Sequence, residues 1–139
     1  MDNRPIGVFD SGLGGLTGVR ELRKRLPHEE IIYFGDTGRV PYGSRSPETI
    51  LQYARQDVAF LLSKNVKCIM AACGTVSSTY PAAEAAKLPV PYLGAASRIP
   101  ALVANWESAR YCRFCVKARY GSFCTLIRRG SKPTRIIRP

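Results

Sequence analysis

The sequence predicts an α/β fold, a mostly parallel sheet of about four strands with helices on both faces. Along residues 1–97, short apolar runs alternate with longer segments in which apolar residues recur every three or four positions. Each run ends near glycine or a small polar residue. Strands and helices in this alternating order connect by right-handed crossovers, which make the sheet parallel and cover both of its faces.

The first two strands flank an amphipathic helix. Residues 5–9 are an apolar run that stops at Asp10-Ser11-Gly12, and residues 31–34 are a second run that ends at Gly35-Asp36. Between them apolar side chains recur at helical spacing, and Pro27 ends the pattern. The predicted buried stripe of this helix is Leu13, Leu16, Val19, Leu22 and Leu26.

A longer helix and two further strands complete the predicted sheet. Ser46-Pro47-Glu48 combines a hydroxyl N-cap, a proline in the first turn and an acid near the positive end of the helix dipole. Residues 67–72 are the third strand, a shorter helix limited by Pro81 follows, and residues 89–94 are a fourth strand weakened by prolines. The predicted stripe of the longer helix is Ile50, Ala54, Val58, Leu61 and Leu62.

Reactive and polar residues follow the carboxyl ends of these strands, where parallel sheets bind their ligands. They are Asp10-Ser11, Asp36, Cys73-Gly74-Thr75 and Gly94. Cys73 follows a buried strand and precedes a helix N-terminus, as reactive thiols do, whereas Cys68 within the strand is typical of an inert core thiol. We therefore predict a site that gathers a carboxylate, a thiol and small polar groups along one edge.

The glycine-rich first turn has two further interpretations. As a dinucleotide fingerprint, with Asp36 as the ribose acceptor, Gly12-x-Gly14-x-x-Thr17 lacks the third glycine. A tight turn that binds nothing is the purely structural interpretation. His28 is the only histidine and falls at the opposite end of the sheet, so no metal site is predicted there.

The positive charge is concentrated at one end of the chain. The net charge is +11, of which residues 1–97 contribute +2 and residues 98–139 contribute +9. A basic tail dotted with aromatic residues leaves an alternative function open, a non-catalytic α/β binding module whose tail contacts nucleic acid, although nucleic acid is not the expected partner. No apolar run approaches the ~18 residues that span a bilayer, and the N-terminus lacks a secretory signal, so a cytoplasmic location is expected.

Four segments together resemble the glutamate racemases. Ile6-Gly7-Val8-Phe9-Asp10-Ser11-Gly12-Leu13-Gly14-Gly15 is similar to the opening of that family, and Tyr33-Phe34-Gly35-Asp36-Thr37 to the segment that follows. Arg39-Val40-Pro41-Tyr42-Gly43-Ser44 resembles the family's substrate loop, which favours glutamate over aspartate. Ala72-Cys73-Gly74-Thr75 resembles its Ala-Cys-Asn-Thr catalytic motif, with glycine in place of asparagine.

The resemblance implies interconversion of L- and D-glutamate without a cofactor, for peptidoglycan synthesis. One cysteine thiolate removes the Cα proton from one face, and a second cysteine, from a second domain, delivers a proton to the other face. Cys73 would be one acid/base and Asp10 its catalytic polar neighbour. The implied substrate-binding residues are Asp10, Ser11, Pro41, Tyr42, Gly43, Gly74 and Thr75. Glycine at position 74 removes an amide contact with substrate worth about 1–3 kcal/mol.

The resemblance covers roughly residues 5–96, so we predict a racemase-like α/β domain over residues 1–104 and a basic tail of non-family sequence over residues 105–139. The family's second Cys-Thr-His motif is absent from this tail, so the chain is expected to racemise glutamate poorly; a homodimer is left open. Cys112, Cys115 and Cys124 lack the fourth ligand of a structural zinc site. Residues 110–123 can be back-translated into degenerate codons and read one base later. That reading frame permits an amino-acid sequence similar to the start of the family's second domain. We therefore hypothesise that the tail is the product of a frameshift and expect it to be poorly ordered.

Overall fold

The computed structural model describes residues 2–95 and 134–137. Within them, five parallel strands form one sheet in the order β4-β3-β1-β2-β5. The strands are β1 (Ile6–Asp10), β2 (Ile31–Gly35), β3 (Cys68–Ala71), β4 (Tyr92–Gly94) and β5 (Thr134–Ile137). The helices are α1 (Leu16–Arg25), α2 (Pro47–Ser63), α3 (Gly74–Thr79) and α4 (Ala82–Ala85). The predicted parallel α/β architecture is confirmed.

Helices cover both faces of the sheet because the strands are apolar on both sides. In β1, Phe9 packs into a core with α2 and α3, whereas Ile6 and Val8 pack into a separate core with α1. In β2, Phe34 joins the first core and Tyr33 the second. Side chains that alternate in this way along a strand bury both faces of a parallel sheet.

The longer helix begins and packs as its sequence predicts. Ser46 is the N-cap of α2, and its hydroxyl oxygen accepts the backbone N–H of Thr49 at 3.3 Å. Four of the five residues in the predicted stripe are buried, and Leu62 is half-buried at its border. The fifth buried position of this helix is occupied by an acid, Asp57, which the apolar pattern of the sequence did not predict.

Two helix predictions are corrected by the structure. Leu13 does not belong to the stripe of α1: it lies in the glycine-rich turn before the helix and is 47% exposed. The segment between β3 and β4 is two short helices rather than one, because Pro81 lacks the N–H that would continue α3 and instead precedes α4.

Most of the basic tail lies outside the described residues. The predicted domain boundary at residue 104, the three tail cysteines and the frameshift hypothesis all fall there. Residues Thr134–Ile137 do form a strand, which the sequence analysis did not predict, and β5 pairs with β2 from Ile31↔Thr134 to Phe34↔Ile137. No helix in residues 2–95 or 134–137 is long and apolar enough to cross a membrane.

Candidate active site

The first turn fixes Asp10 at the carboxyl edge of the sheet. Asp10 is the last residue of β1, and its Oδ2 accepts the backbone N–H of Gly15 at 2.8 Å, at the start of α1. A Cβ atom at Gly15 would lie 2.8 Å from the Cβ of Ala72 and 2.9 Å from that of Asp10. Only glycine therefore allows α1 to begin this close to the ends of β1 and β3.

The buried side chain of Tyr33, in β2, is hydrogen-bonded to this turn. The Tyr33 hydroxyl donates to the carbonyl oxygen of Gly12 at 2.9 Å and lies 3.5 Å from Asp10 Oδ2. Burial, and then the negative charge of Asp10, raises the pKa of Tyr33 far above its usual range. The phenol therefore keeps its proton at any physiological pH and remains a donor to the turn.

The thiol of Cys73 faces this turn. Cys73 follows β3 and is the N-cap of α3, and its Sγ donates to the hydroxyl oxygen of Ser11 at 3.4 Å. The residue is only 5% exposed, and it belongs to the core shared with α2 as well as to the edge of the sheet. The sulfur is thus largely shielded from water but in direct contact with a half-buried residue of the site.

The segment after Cys73 leaves room for a larger side chain. Gly74 is exposed, and a Cβ built on it meets no atom within 4 Å. A Cβ on Gly43 would lie 3.9 Å from Thr75 Oγ1, so the loop that contains Gly43 lies against the first turn of α3. The same loop reaches the glycine-rich turn, because a Cβ on Gly12 would lie 3.3 Å from a methyl group of Val40.

The loop is anchored through the side chain of Tyr42, which is buried in the core shared with α2. Tyr42 is 1% exposed. Its hydroxyl hydrogen-bonds Asp36 Oδ2 and lies 3.0 Å from Asp57 Oδ2. Arg39 bridges the same two carboxyl groups, from Nε to Asp36 Oδ2 at 2.6 Å and from Nη2 to Asp57 Oδ1 at 2.8 Å. We call Asp36, Arg39, Tyr42 and Asp57 the loop-anchor cluster.

Burial perturbs the titration of this cluster. Removal from water, and then repulsion by the Asp36 carboxylate, raises the pKa of Asp57 from 3.8 to about 7, although Tyr42 and Arg39 act in the opposite direction. Burial and the two carboxyl groups raise the pKa of Tyr42 beyond any physiological range. Arg39 lies 4.3 Å over the ring of Tyr53, which also packs against the Tyr42 ring.

The structure brings most of the predicted site residues together. Cys73, Ser11 and Asp10 meet at the ends of β1 and β3, and Gly43 approaches Thr75. Pro41 and Gly43 are exposed in the loop that joins β2 to α2. The peptide bond between Val40 and Pro41 is cis.

Two predicted residues lie differently from their simplest interpretation. The Tyr42 hydroxyl is engaged inside the protein, so only the backbone of this residue is left to face a substrate. Asp36 is likewise held by Tyr42 and Arg39, which removes the free carboxylate that a dinucleotide ribose would require.

Sequence reasoning missed Tyr33 and Asp57 as residues that organise the site. A tyrosine inside an apolar strand is not recognisable from the sequence as an organising residue. Asp57 is recognisable, because it lies three residues after Ala54 and seven after Ile50, on the apolar face of α2. A carboxyl group on such a face must be paired with a cation or hydrogen-bond donor, or be protonated. An acid at an apolar position of a helix is therefore the sequence signal that indicates a buried polar cluster.

The comparisons with known proteins point to one family. The chain is 55% identical over 94 residues to a glutamate racemase of Streptococcus suis, an alignment that covers 68% of this chain and 36% of that protein. An identical level of similarity is found with a glutamate racemase of Streptococcus pneumoniae. No protein-family model matches the chain.

Solved structures agree with the curated relatives. Glutamate racemase from Thermus thermophilus, in complex with β-chloro-D-alanine, superposes with a TM-score of 0.64 and 49% identity over 66% of this chain and 36% of that one. Glutamate racemase from Francisella tularensis, in complex with D-glutamate, superposes with a TM-score of 0.63 and 50% identity over 68% of this chain and 36% of that one. The chain thus spans little more than a third of the length of these relatives.

Proposed function

We propose that this chain, whose α/β part is the N-terminal domain of a glutamate racemase, binds glutamate at the carboxyl edge of its sheet and uses Cys73 to move the Cα proton. The contact between Cys73 Sγ and Ser11, at 3.4 Å, is the observation that carries the proposal. It brings a thiol, a hydroxyl and the Asp10 turn to one point, next to the loop that contains Gly43.

The proposed step is a proton transfer to sulfur. The Cys73 thiolate takes the Cα proton of glutamate and becomes a thiol, while the electron pair of the broken C–H bond passes into the substrate carboxylate. The Cα–H bond is a very weak acid, so donors must stabilise the charge that develops on the carboxylate oxygens. Ser11, Thr75 and the backbone N–H groups around Gly43 are the donors that we assign to this role.

The same residues are proposed to hold the substrate in its ground state. Asp10 is an acceptor for an ammonium group, although its Oδ2 already accepts the Gly15 amide. Pro41 and Tyr42 contribute through the backbone of the loop. Gly74 offers space but no polar side chain, so substrate binding is expected to be weaker than in a protein with an amide at this position.

Complete racemisation requires an acid on the opposite face of Cα. In the family this acid is a second cysteine, and the residues described here hold only Cys73 at the site. We therefore propose that the chain exchanges the Cα proton of one enantiomer and returns it to the same face, and that full interconversion, as a source of D-glutamate for peptidoglycan in the cytoplasm, depends on a second thiol.

Isotope exchange tests this proposal without requiring racemisation. The full chain is incubated in D2O with L-glutamate and separately with D-glutamate, and deuterium at Cα is measured by mass spectrometry. A thiol that takes the Cα proton exchanges it with solvent before returning it, so label accumulates in one enantiomer. Cys73→Ala is expected to lower this rate at least about 100-fold, the smallest contribution typical of an acid/base group.

Cys68→Ala is the matched control. Cys68 is also a buried thiol of β3, five residues earlier, but it packs in the core on the α1 side of the sheet. Its replacement should leave the exchange rate within about threefold, provided that circular dichroism shows both variants folded. Equal exchange in the Cys73 variant and the wild type, or no exchange in the wild type, would refute the proposal.

A further inference from the structure

The loop-anchor cluster contains one contact whose two oxygens cannot both be acceptors. The Tyr42 hydroxyl has a single proton but lies against two carboxyl oxygens, Asp36 Oδ2 and Asp57 Oδ2. If both carboxyl groups were ionised, one of these contacts would join two oxygens with no hydrogen between them. A buried contact of that kind is repulsive, so the arrangement calls for one more proton.

The charges of the cluster lead to the same conclusion. Asp36 and Asp57 are each about 1% exposed, and Arg39 is the cation that bonds to both. With both acids ionised, the cluster carries a net negative charge in the interior. With one acid protonated it is neutral, which is far less costly to bury.

We propose that Asp57 holds this proton at neutral pH and so closes a ring of hydrogen bonds that positions the Pro41-Tyr42-Gly43 loop beside the thiol site. In the ring, Arg39 donates to Asp57 Oδ1 and to Asp36 Oδ2, Asp57 Oδ2–H donates to the Tyr42 oxygen, and Tyr42 donates to Asp36 Oδ2. The role of the loop in binding glutamate rests on the proposed function; the proton and the ring do not.

The surroundings of Asp57 support the assignment. Burial and the Asp36 charge raise its pKa to about 7, against the effects of Tyr42 and Arg39. The groups that face it are Asp36 after β2, Arg39 and Tyr42 from the loop, and Tyr92 from β4, whose own pKa is raised in part by Asp57. Arg39 is further held by Gln56 on α2, so the cation is bound on several sides.

Loss of the proton opens the ring at one place. Above a pH of about 7, Asp57 Oδ2 and the Tyr42 oxygen face each other without a hydrogen, and Tyr42 keeps only its bond to Asp36. The backbone of the loop loses one of its two anchors through this side chain. We expect the loop to become less protected, and its grip on glutamate weaker, as the pH rises through this region.

Infrared spectroscopy of the full chain tests the proton directly. A protonated carboxylic acid has a C=O band that a carboxylate lacks, and carboxylic acids exposed to water ionise well below neutral pH. At neutral pH we expect this band in the wild type and its loss in Asp57→Asn. Absence of the band from the wild type, or its persistence in the variant, would overturn the proposal, whether or not the chain turns over glutamate.

Hydrogen exchange, measured by mass spectrometry on the peptide around residues 37–46, tests the loop. After correction for intrinsic rates, wild-type protection should fall from about pH 6 to about pH 8 by up to tenfold per pH unit, the limit for one proton. Asp57→Asn, whose amide can donate to the Tyr42 oxygen at every pH, should stay at the protected level throughout.

Tyr53→Phe is the matched control for the exchange experiment. Its ring packs against Tyr42 and under Arg39, while the ring of hydrogen bonds is made by other side chains. This variant should retain the wild-type pH profile. A flat wild-type profile, or a variant Asp57→Asn that still follows the wild type, would contradict the inference. In the isotope-exchange assay, the KM for glutamate should rise over the same pH range in the wild type, with little change in kcat. If no isotope exchange occurs, the proposed function is refuted but the inference about the Asp57 proton is not.

Discussion

The two sides of the site are each held by a buried tyrosine, but by different physics. On the thiol side, Tyr33 donates to a backbone carbonyl at 2.9 Å, and Asp10 accepts a backbone amide at 2.8 Å. On the loop side, Tyr42 lies between two buried carboxyl groups that share one guanidinium. On the thiol side, side chains from β1 and β2 thus bond the backbone of the glycine-rich turn, whereas the loop side depends on charges.

This difference determines what each side is sensitive to. A single hydrogen bond to a backbone carbonyl contributes about 1 kcal/mol and does not change with pH. A buried charge network is neutral in sum only with the correct number of protons, and removal of one member leaves the others unpaired at a cost of several kcal/mol. Changes in pH or in one side chain should therefore act first on the loop.

The largest expected effect is the dependence of stability on pH. The pKa of Asp57 is about 7 in the folded chain and near 3.8 when unfolded, so the folded state binds more protons between these values. Stability from this group is complete below about pH 4 and is lost as the pH rises to about 7. The free energy of unfolding should fall by on the order of 2–4 kcal/mol over that range.

Urea unfolding at a series of pH values measures this loss. In Asp57→Asn the contribution of this residue to the slope should disappear, because the amide does not titrate. Tyr33→Phe, on the thiol side, should shift the whole curve but keep its slope. A wild-type stability that rises between these pH values would contradict the raised pKa.

The two tyrosines provide a matched pair of variants for the next effect. Tyr42→Phe leaves two buried carboxyl groups without their shared hydroxyl and should cost about 3 kcal/mol at neutral pH. Tyr33→Phe leaves the Gly12 carbonyl without its donor and should cost about 1–2 kcal/mol. Chemical denaturation of both variants measures the difference, and equal costs would show that the two sides are not anchored differently.

The smallest expected effect is a gain at the thiol side. Gly74→Asn places an amide where a Cβ meets no atom within 4 Å, so the substitution should fit without strain. One added hydrogen bond to glutamate contributes about 1 kcal/mol, roughly a fivefold decrease in Kd. Gly74→Ala is the control, because it also raises the helix propensity of α3 but has no amide. Calorimetric titration with glutamate should separate the two, and a similar gain in both would assign the effect to the helix.

Much of the fold follows from local patterns. The four predicted strands, the Ser46 N-cap and the stripe of α2 depend on residues close in sequence, and the structure confirms them. The predictions that differ depend on distant contacts. Leu13 fits the helical spacing but lies in the turn, because α1 can begin only where Gly15 passes Ala72 and Asp10. Strand β5 pairs with the edge of β2, and no sequence pattern in the tail predicts this strand.

The sequence by itself determined the parallel sheet, the edge at which the candidate site residues gather, and the thiol at the end of β3, because periodicity and strand ends are local properties. Only the tertiary structure decided which way Tyr42 is directed and which carboxyl groups meet. Asp36 and Asp57 are 21 positions apart, and the pKa of Asp57 is raised by burial and by the nearby charge of Asp36. A pKa responds to the distance between charges and to the exclusion of water rather than to order along the chain.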